Sequence, residues 1–281
     1  MVAGEYRVEV GEHLISAVVT GSGGPAVVIE PGWGSTVESW EAIAQALATD
    51  TTVVTYDRAG YRTSDRARDR RTPDDVARDL QGVLDAVGVD GPLVLVGHSA
   101  GGLYARAFAA RYGERVAGLV LVDTAYEGQW RMLARHLPLR ARLEQRVLTP
   151  VGIALSRRKP GGIDPRTLLR ELRGWMRLTP SARLERGALG SRPLALLTRA
   201  PGDLLTNELD GDGTVVPAAW RCWHGFHQEL ARLSGDSRHV VAERSGHNVH
   251  LDEPSLVVST IRDVLRSVRT GSRLEADRPG Q

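Results

Sequence analysis

The feature that most constrains this chain is an alternation of short, almost purely aliphatic runs with longer amphipathic ones. Leu93–Val96 and Val116–Val122 are continuously apolar. That pattern suits strands covered on both faces, because a half-exposed strand alternates instead. Ala26–Glu30, Thr51–Tyr56, Leu194–Thr198 and His239–Ala242 are further compact runs. Glu5–Val10 and Leu14–Thr20 alternate and carry valines, and read as an opening pair of strands. Helical patterns fall between them at Val37–Ala48, Thr72–Val87, Ala100–Tyr112, Pro217–Leu233 and Pro254–Val268. The start at Thr72 is well marked: Thr72 can cap, Pro73 takes the first helical position, and Asp74 and Asp75 meet the positive helix end. Strand–helix alternation of this kind predicts an α/β fold, a mostly parallel eight-stranded sheet flanked by helices.

One stretch breaks the rhythm. Residues 126–190 hold no convincing strand, only short helical patterns interrupted by Pro138, Pro150, Pro160-Gly161-Gly162 and Pro180. They carry fourteen basic residues against five acids, a local charge of +9 that leaves the rest of a +2 chain at −7. The expected organisation is therefore a core of residues 1–125 and 191–270, a helical lid or cap inserted at 126–190, and a flexible tail at 271–281. An insertion leaving the sheet near Asp123 would lie over the carboxyl edge of the strands, where α/β folds bind ligands. Trp130, Leu133, Leu137, Trp175 and Met176 could line an acyl pocket there, or simply pack the lid onto the body. The surplus charge could attract an anionic substrate, a membrane surface or an acidic carrier, or be a solvated arginine face.

Composition excludes other classes. A net charge of +2 over 281 residues gives no nucleic-acid footprint. Lys159 is the only lysine, a bias that fits a GC-rich coding sequence. Cys222 is the only cysteine, so neither an intramolecular disulfide nor a metal site on paired cysteines can form. Met1–Val10 lacks a basic segment followed by an apolar one, and no run reaches the roughly 18 apolar residues of a membrane span. The expectation is a cytoplasmic protein without integral membrane association. No phosphate loop, dinucleotide glycine pattern or metal cluster appears, so no cofactor is expected.

Chemistry is concentrated in Gly97-His98-Ser99-Ala100-Gly101, which ends an apolar strand and opens a helix. A serine on such a sharp, strained turn is presented at the carboxyl edge of the sheet. Side chains two residues to either side would collide with neighbouring elements, so glycine at 97 and 101 fits. The helix N-terminus directs amide groups at negative charge forming near Ser99. A serine becomes nucleophilic at neutral pH only beside a base. His247, in Glu243-Arg244-Ser245-Gly246-His247-Asn248-Val249-His250-Leu251-Asp252-Glu253-Pro254, falls in a loop between the last strand and the last helix. His250 lacks the preceding glycine. His98 lies inside the elbow, where packing or hydrogen bonding suits it better than proton transfer.

These motifs, in this order, resemble the α/β-hydrolase fold family, in its serine esterase or lipase-like form with a helical lid. The resemblance runs from about residue 25 to 125 and again from 193 to 268, and includes Tyr56-Asp57-Arg58-Ala59-Gly60-Tyr61 and Ser64-Asp65. It implies Ser99 as nucleophile and His247 as general base. It also implies an oxyanion hole from the amides of Ala100 and of Trp33, the latter in Glu30-Pro31-Gly32-Trp33-Gly34, where proline replaces the family's usual histidine. The third member is an acid that orients the base. Asp203, in Arg199-Ala200-Pro201-Gly202-Asp203, stands near one of the family's positions, with Asp210 and Asp212 floating beyond it. Asp123 ends Val116–Val122 at the family's other position, 24 residues after Ser99, and is preferred.

The resemblance implies acyl transfer to water from a small-molecule acyl substrate, with esters first and lactones, thioesters and amides after them. A serine nucleophile separates the chain from the dehalogenases and epoxide hydrolases of the superfamily, which use aspartate. Perhydrolases and carbon–carbon hydrolases share the same triad, and fold does not fix function. The alternative from another class is a ligand-binding or signalling protein on a hydrolase scaffold with vestigial catalysis.

Overall fold

The computed structural model describes residues 3–67, 71–127, 162–176, 184–201 and 217–274, with residues 129, 135, 151 and 153 between them. Eight strands form one sheet: β1 Gly4–Val10, β2 His13–Thr20, β3 Ala26–Glu30, β4 Val53–Tyr56, β5 Leu93–His98, β6 Val116–Val122, β7 Leu194–Arg199 and β8 Ser237–Ala242. Among the described residues their spatial order is β1-β2-β4-β3-β5-β6-β7-β8. β1 pairs antiparallel with β2, and β2 with β4; every other pair is parallel. The antiparallel edge is the valine-alternating pair, and β3 to β7 are buried at all but one position. The one partly open position in this set is Ala117 of β6.

Helices cover both faces: α1 Glu41–Ala48, α2 Pro73–Ala86, α3 Ala100–Arg111, α4 Pro165–Met176, α5 Pro217–Ala231, the single turn α6 Val249–Asp252, and α7 Pro254–Thr270. On one face Leu80, Val83 and Leu84 of α2 and Ala105 and Phe108 of α3 bury against Val28, Leu95 and Leu119. On the other, Ile43 and Leu47 of α1 and Ile261, Val264 and Leu265 of α7 bury against Val27, Val94 and Val120. Alternate residues of each central strand thus serve opposite cores, which is why these runs need no polar face. Gly118 lets α7 approach β6: a Cβ there would sit 2.7 Å from Val264 Cγ1.

The start of α2 is a capping box, with Thr72 and Asp75 each bonded to the other's backbone and Pro73 in the first turn. The single helix expected at Val37–Ala48 is divided, a 3₁₀ turn over Val37–Trp40 preceding α1. Trp40 is wholly buried there and stacks on His250 at 4.5 Å. α7 stops at Thr270 with Gly271 in the left-handed conformation. Of the expected insertion, α4 is the principal described part. It packs against the body so closely at Gly60 and Gly174 that a Cβ at either would overlap Thr167 or the Arg71 carbonyl. Trp130, Leu133, Leu137, Asp203, Asp210 and Asp212 lie outside the described residues, as do the side chains of Trp175 and Met176. Among the described residues no helix is long and apolar enough to cross a membrane.

Candidate active site

Ser99 stands between β5 and α3 with φ 52° and ψ −123°, a conformation that L residues rarely adopt. The neighbouring glycines make it possible. A Cβ at Gly97 would lie 2.6 Å from Gly102 Cα, and one at Gly101 would overlap the Glu30 carbonyl. The turn is anchored by backbone bonds from Ser99 to the Val122 carbonyl (3.1 Å) and from Ala125 to the Ser99 carbonyl (2.8 Å). Strain of this kind persists only when surroundings over-determine it.

His247 follows β8 and faces Ser99. Its Nε2 lies 2.9 Å from Ser99 Oγ and its Nδ1 2.6 Å from Asp123 Oδ2. Asp123 caps β6, has φ 38°, and is fully buried. Burial pushes its carboxyl upward, but the Arg199 guanidinium and the bond from His247 outweigh burial and hold it well below the usual carboxylate range. An ionised Asp123 requires the proton of the neutral imidazole on Nδ1, leaving the Nε2 lone pair toward the serine hydroxyl. Asp123, the acid preferred from sequence, is set against His247, while Asp203 lies outside the described residues.

Two partners of Asp123 had no sequence signal. Arg199, the last residue of β7, donates from Nε to Oδ2 (2.7 Å) and from its backbone amide to Oδ1 (3.2 Å). Trp223 of α5 donates from Nε1 to Oδ1 at 2.8 Å. They lie 76 and 100 residues away along the chain, which no local pattern spans. His98 Nε2 donates to the His247 carbonyl at 2.9 Å. Burial, then the nearby His247 and His250, push its imidazole well below its ordinary value, so it is neutral. His250 lies on Trp40, pushed down to about 4 by burial and by His247.

The loop Pro31-Gly32-Trp33-Gly34 borders the same site, and a Cβ at Gly32 would stand 3.3 Å from Ser99 Cβ. Arg58 braces this loop from behind. Its guanidinium is buried and donates to the carbonyls of Pro31 (2.7 Å) and Gly32 (2.8 Å). It also pairs with Glu30 (2.9 Å) and with Glu171 of α4 (3.0 Å). Tyr61 donates to Glu171 at 2.6 Å and accepts from the Gly34 amide at 3.2 Å. The Trp33 indole bonds the Leu168 carbonyl of α4 at 3.1 Å. Because carbonyl and amide of one trans peptide point in opposite directions, fixing the Gly32 carbonyl on Arg58 turns the Trp33 amide away from Arg58. Ala100 opens α3, so its amide is among those with no carbonyl one turn earlier. Arg58 and Tyr61 stand in the Tyr56–Tyr61 motif, but their pairing with Glu171 crosses 113 and 110 residues, which no local pattern spans.

Strand order, elbow and histidine loop together decide the fold. The chain has the α/β-hydrolase fold. The family model of the alpha/beta hydrolase fold matches residues 25–152. Uncharacterized protein YqjL of Bacillus subtilis (strain 168) is 27% identical over 246 residues, which are 87% of this chain and 85% of that protein. A thermophilic esterase from Thermogutta terrifontis superposes with a TM-score of 0.67 at 24% identity, over 95% of this chain and all of that one. The enol-lactonase from Burkholderia xenovorans LB400 gives 0.66 at 20% identity, over 93% and 100%. At such identities the structural likeness is one of fold. Together the comparisons support a hydrolase.

Proposed function

We propose that this α/β hydrolase is a serine hydrolase that cleaves ester-type small molecules, namely carboxylic esters, lactones or thioesters, through an acyl-enzyme. The observation that carries this reading is the unbroken chain Ser99 Oγ, His247 Nε2, His247 Nδ1, Asp123 Oδ2, with spacings of 2.9 and 2.6 Å. Ser99 Oγ attacks the substrate carbonyl while its proton passes to His247 Nε2, and Asp123 stabilises the resulting imidazolium. The amides of Trp33 and Ala100 receive the oxyanion; the loop brace at Arg58 and the helix start at Ala100 favour that assignment. His247 then returns the proton to the leaving oxygen or sulfur. A water, deprotonated by His247, attacks the acyl carbonyl and restores Ser99. The fold relatives named as an esterase and an enol-lactonase are consistent with this substrate class.

A panel of p-nitrophenyl esters of graded chain length, assayed with wild type and Ser99→Ala, tests the proposal. The expected result is turnover with a chain-length preference, reduced on the order of 10⁴-fold or more in Ser99→Ala. Equal turnover in both proteins would remove Ser99 from the chemistry. Hydrolysis of none of the panel, with ligands still bound, would favour a binding protein on this scaffold.

A further inference from the structure

The guanidinium of Arg199 touches both remaining members of the relay behind Ser99. Besides its bonds to Asp123, its Nη2 lies 3.0 Å from His247 Nδ1. Nδ1 offers one position in the ring plane. With Asp123 Oδ2 at 2.6 Å, that position holds the proton donated to the carboxylate. Nη2 therefore faces an N–H instead of a lone pair, and what it brings to the ring is charge. Arg199 is buried, 4% exposed, and its Cζ stands 5.4 Å from the Trp223 ring centroid, so little water screens it.

We propose that Arg199 is a positioning residue of the relay: it fixes the Asp123 carboxylate against His247 and, as a permanent cation beside Nδ1, keeps the ring in its neutral, proton-accepting form. This rests on the reading of Ser99, His247 and Asp123 as a catalytic relay. In the usual arrangement the carboxylate serves the imidazolium alone. Here it also serves a guanidinium, so a proton on Nε2 creates a second cation beside the first. Among the described residues, the other groups facing this centre are His98 from β5, His250 from α6, and His227 and Trp223 from α5. The three histidines are each held below their ordinary value, by burial first, and are neutral near pH 7. Among the described residues, Asp123 and Arg199 are thus the fixed charges at the ring. A cation beside Nδ1 opposes the protonation of the ring that the carboxylate favours.

The test is the rate at which a fluorophosphonate labels Ser99 between pH 4.5 and 9, a readout independent of the natural substrate. Removing the cation favours the imidazolium, so the acid limb of the profile in Arg199→Gln is expected to move upward by about one pH unit, a tenfold change in the protonation equilibrium. Arg199→Lys keeps the charge but loses the planar fork, so its limb should stay near that of wild type while its plateau falls. A purely structural role would lower the rate equally at every pH, and a folded Arg199→Gln with an unmoved limb overturns the proposal. If Arg199→Gln does not fold, Asp123→Asn is compared with Asp123→Asn/Arg199→Gln, which strands no carboxylate. The double variant should show the higher limb, and coincident limbs overturn the proposal. Wild type that is not labelled at Ser99 refutes the relay itself, whereas labelling with unmoved limbs refutes only the part given to Arg199.

Discussion

At the scale of single residues, the site rests on two strained positions, Ser99 and Asp123, at the ends of adjacent strands β5 and β6. Each is fixed by its surroundings, Ser99 by glycines with no room for a Cβ and Asp123 by donors on all sides. Replacing Asp123 with Asn leaves the Ser99 elbow intact but removes the charge that sets the tautomer of His247. Turnover of an ester substrate should fall by about 10²- to 10⁴-fold. Steady-state kinetics with folding checked by circular dichroism measures this, and full activity would take Asp123 out of the relay. Ser99 and His247 were legible because their local sequences encode a turn and a loop with distinctive geometry. Asp123 was legible from its place at a strand end. Arg199 and Trp223 were not, because they meet Asp123 only through the fold. Arg58 and Glu171 escaped for the same reason.

At the scale of elements, the aliphatic runs marked strands well, since burial on both faces leaves little alternative for four to seven consecutive apolar residues. Boundaries moved where side-chain bonding intervened: Thr51 was expected within β4, but its Oγ1 bonds the Pro25 carbonyl at 2.6 Å and the strand begins at Val53. Periodicity did not foresee the 3₁₀ turn before α1, because the same apolar spacing serves both helices over four residues. The Thr72 cap was read from sequence, and the reciprocal bond from Asp75 completes it. Thr72→Ala should destabilise the protein by about 1 kcal/mol. The expected outcome is a lowered urea midpoint with unchanged kcat, because α2 begins outside the site. A change in kcat would show that this helix end takes part in the chemistry.

At the scale of the whole molecule, two cores clamp one sheet, and several histidines are enclosed by it. His98 and His227 are fully buried and held below their ordinary value near 6.5, chiefly by burial. The unfolded chain therefore binds protons below about pH 6.5 that the folded chain refuses. Stability should rise with pH up to that point and level off above it, with a slope of about 1.4 kcal/mol per pH unit for each such histidine. Urea denaturation at pH 5, 6 and 7 measures the slope, and equal midpoints at all three would contradict the neutral, buried state of these rings. The charge division between residues 126–190 and the remainder was plain in composition, whereas its function depends on what that stretch faces, which composition does not encode. The most direct measurement of the central claim is mass-spectrometric mapping of the protein after brief exposure to a fluorophosphonate. The account predicts one adduct, on the peptide bearing Ser99, formed rapidly in wild type and slowed by orders of magnitude in His247→Ala. An adduct elsewhere, or labelling of Ser99 at the same rate without His247, would contradict it.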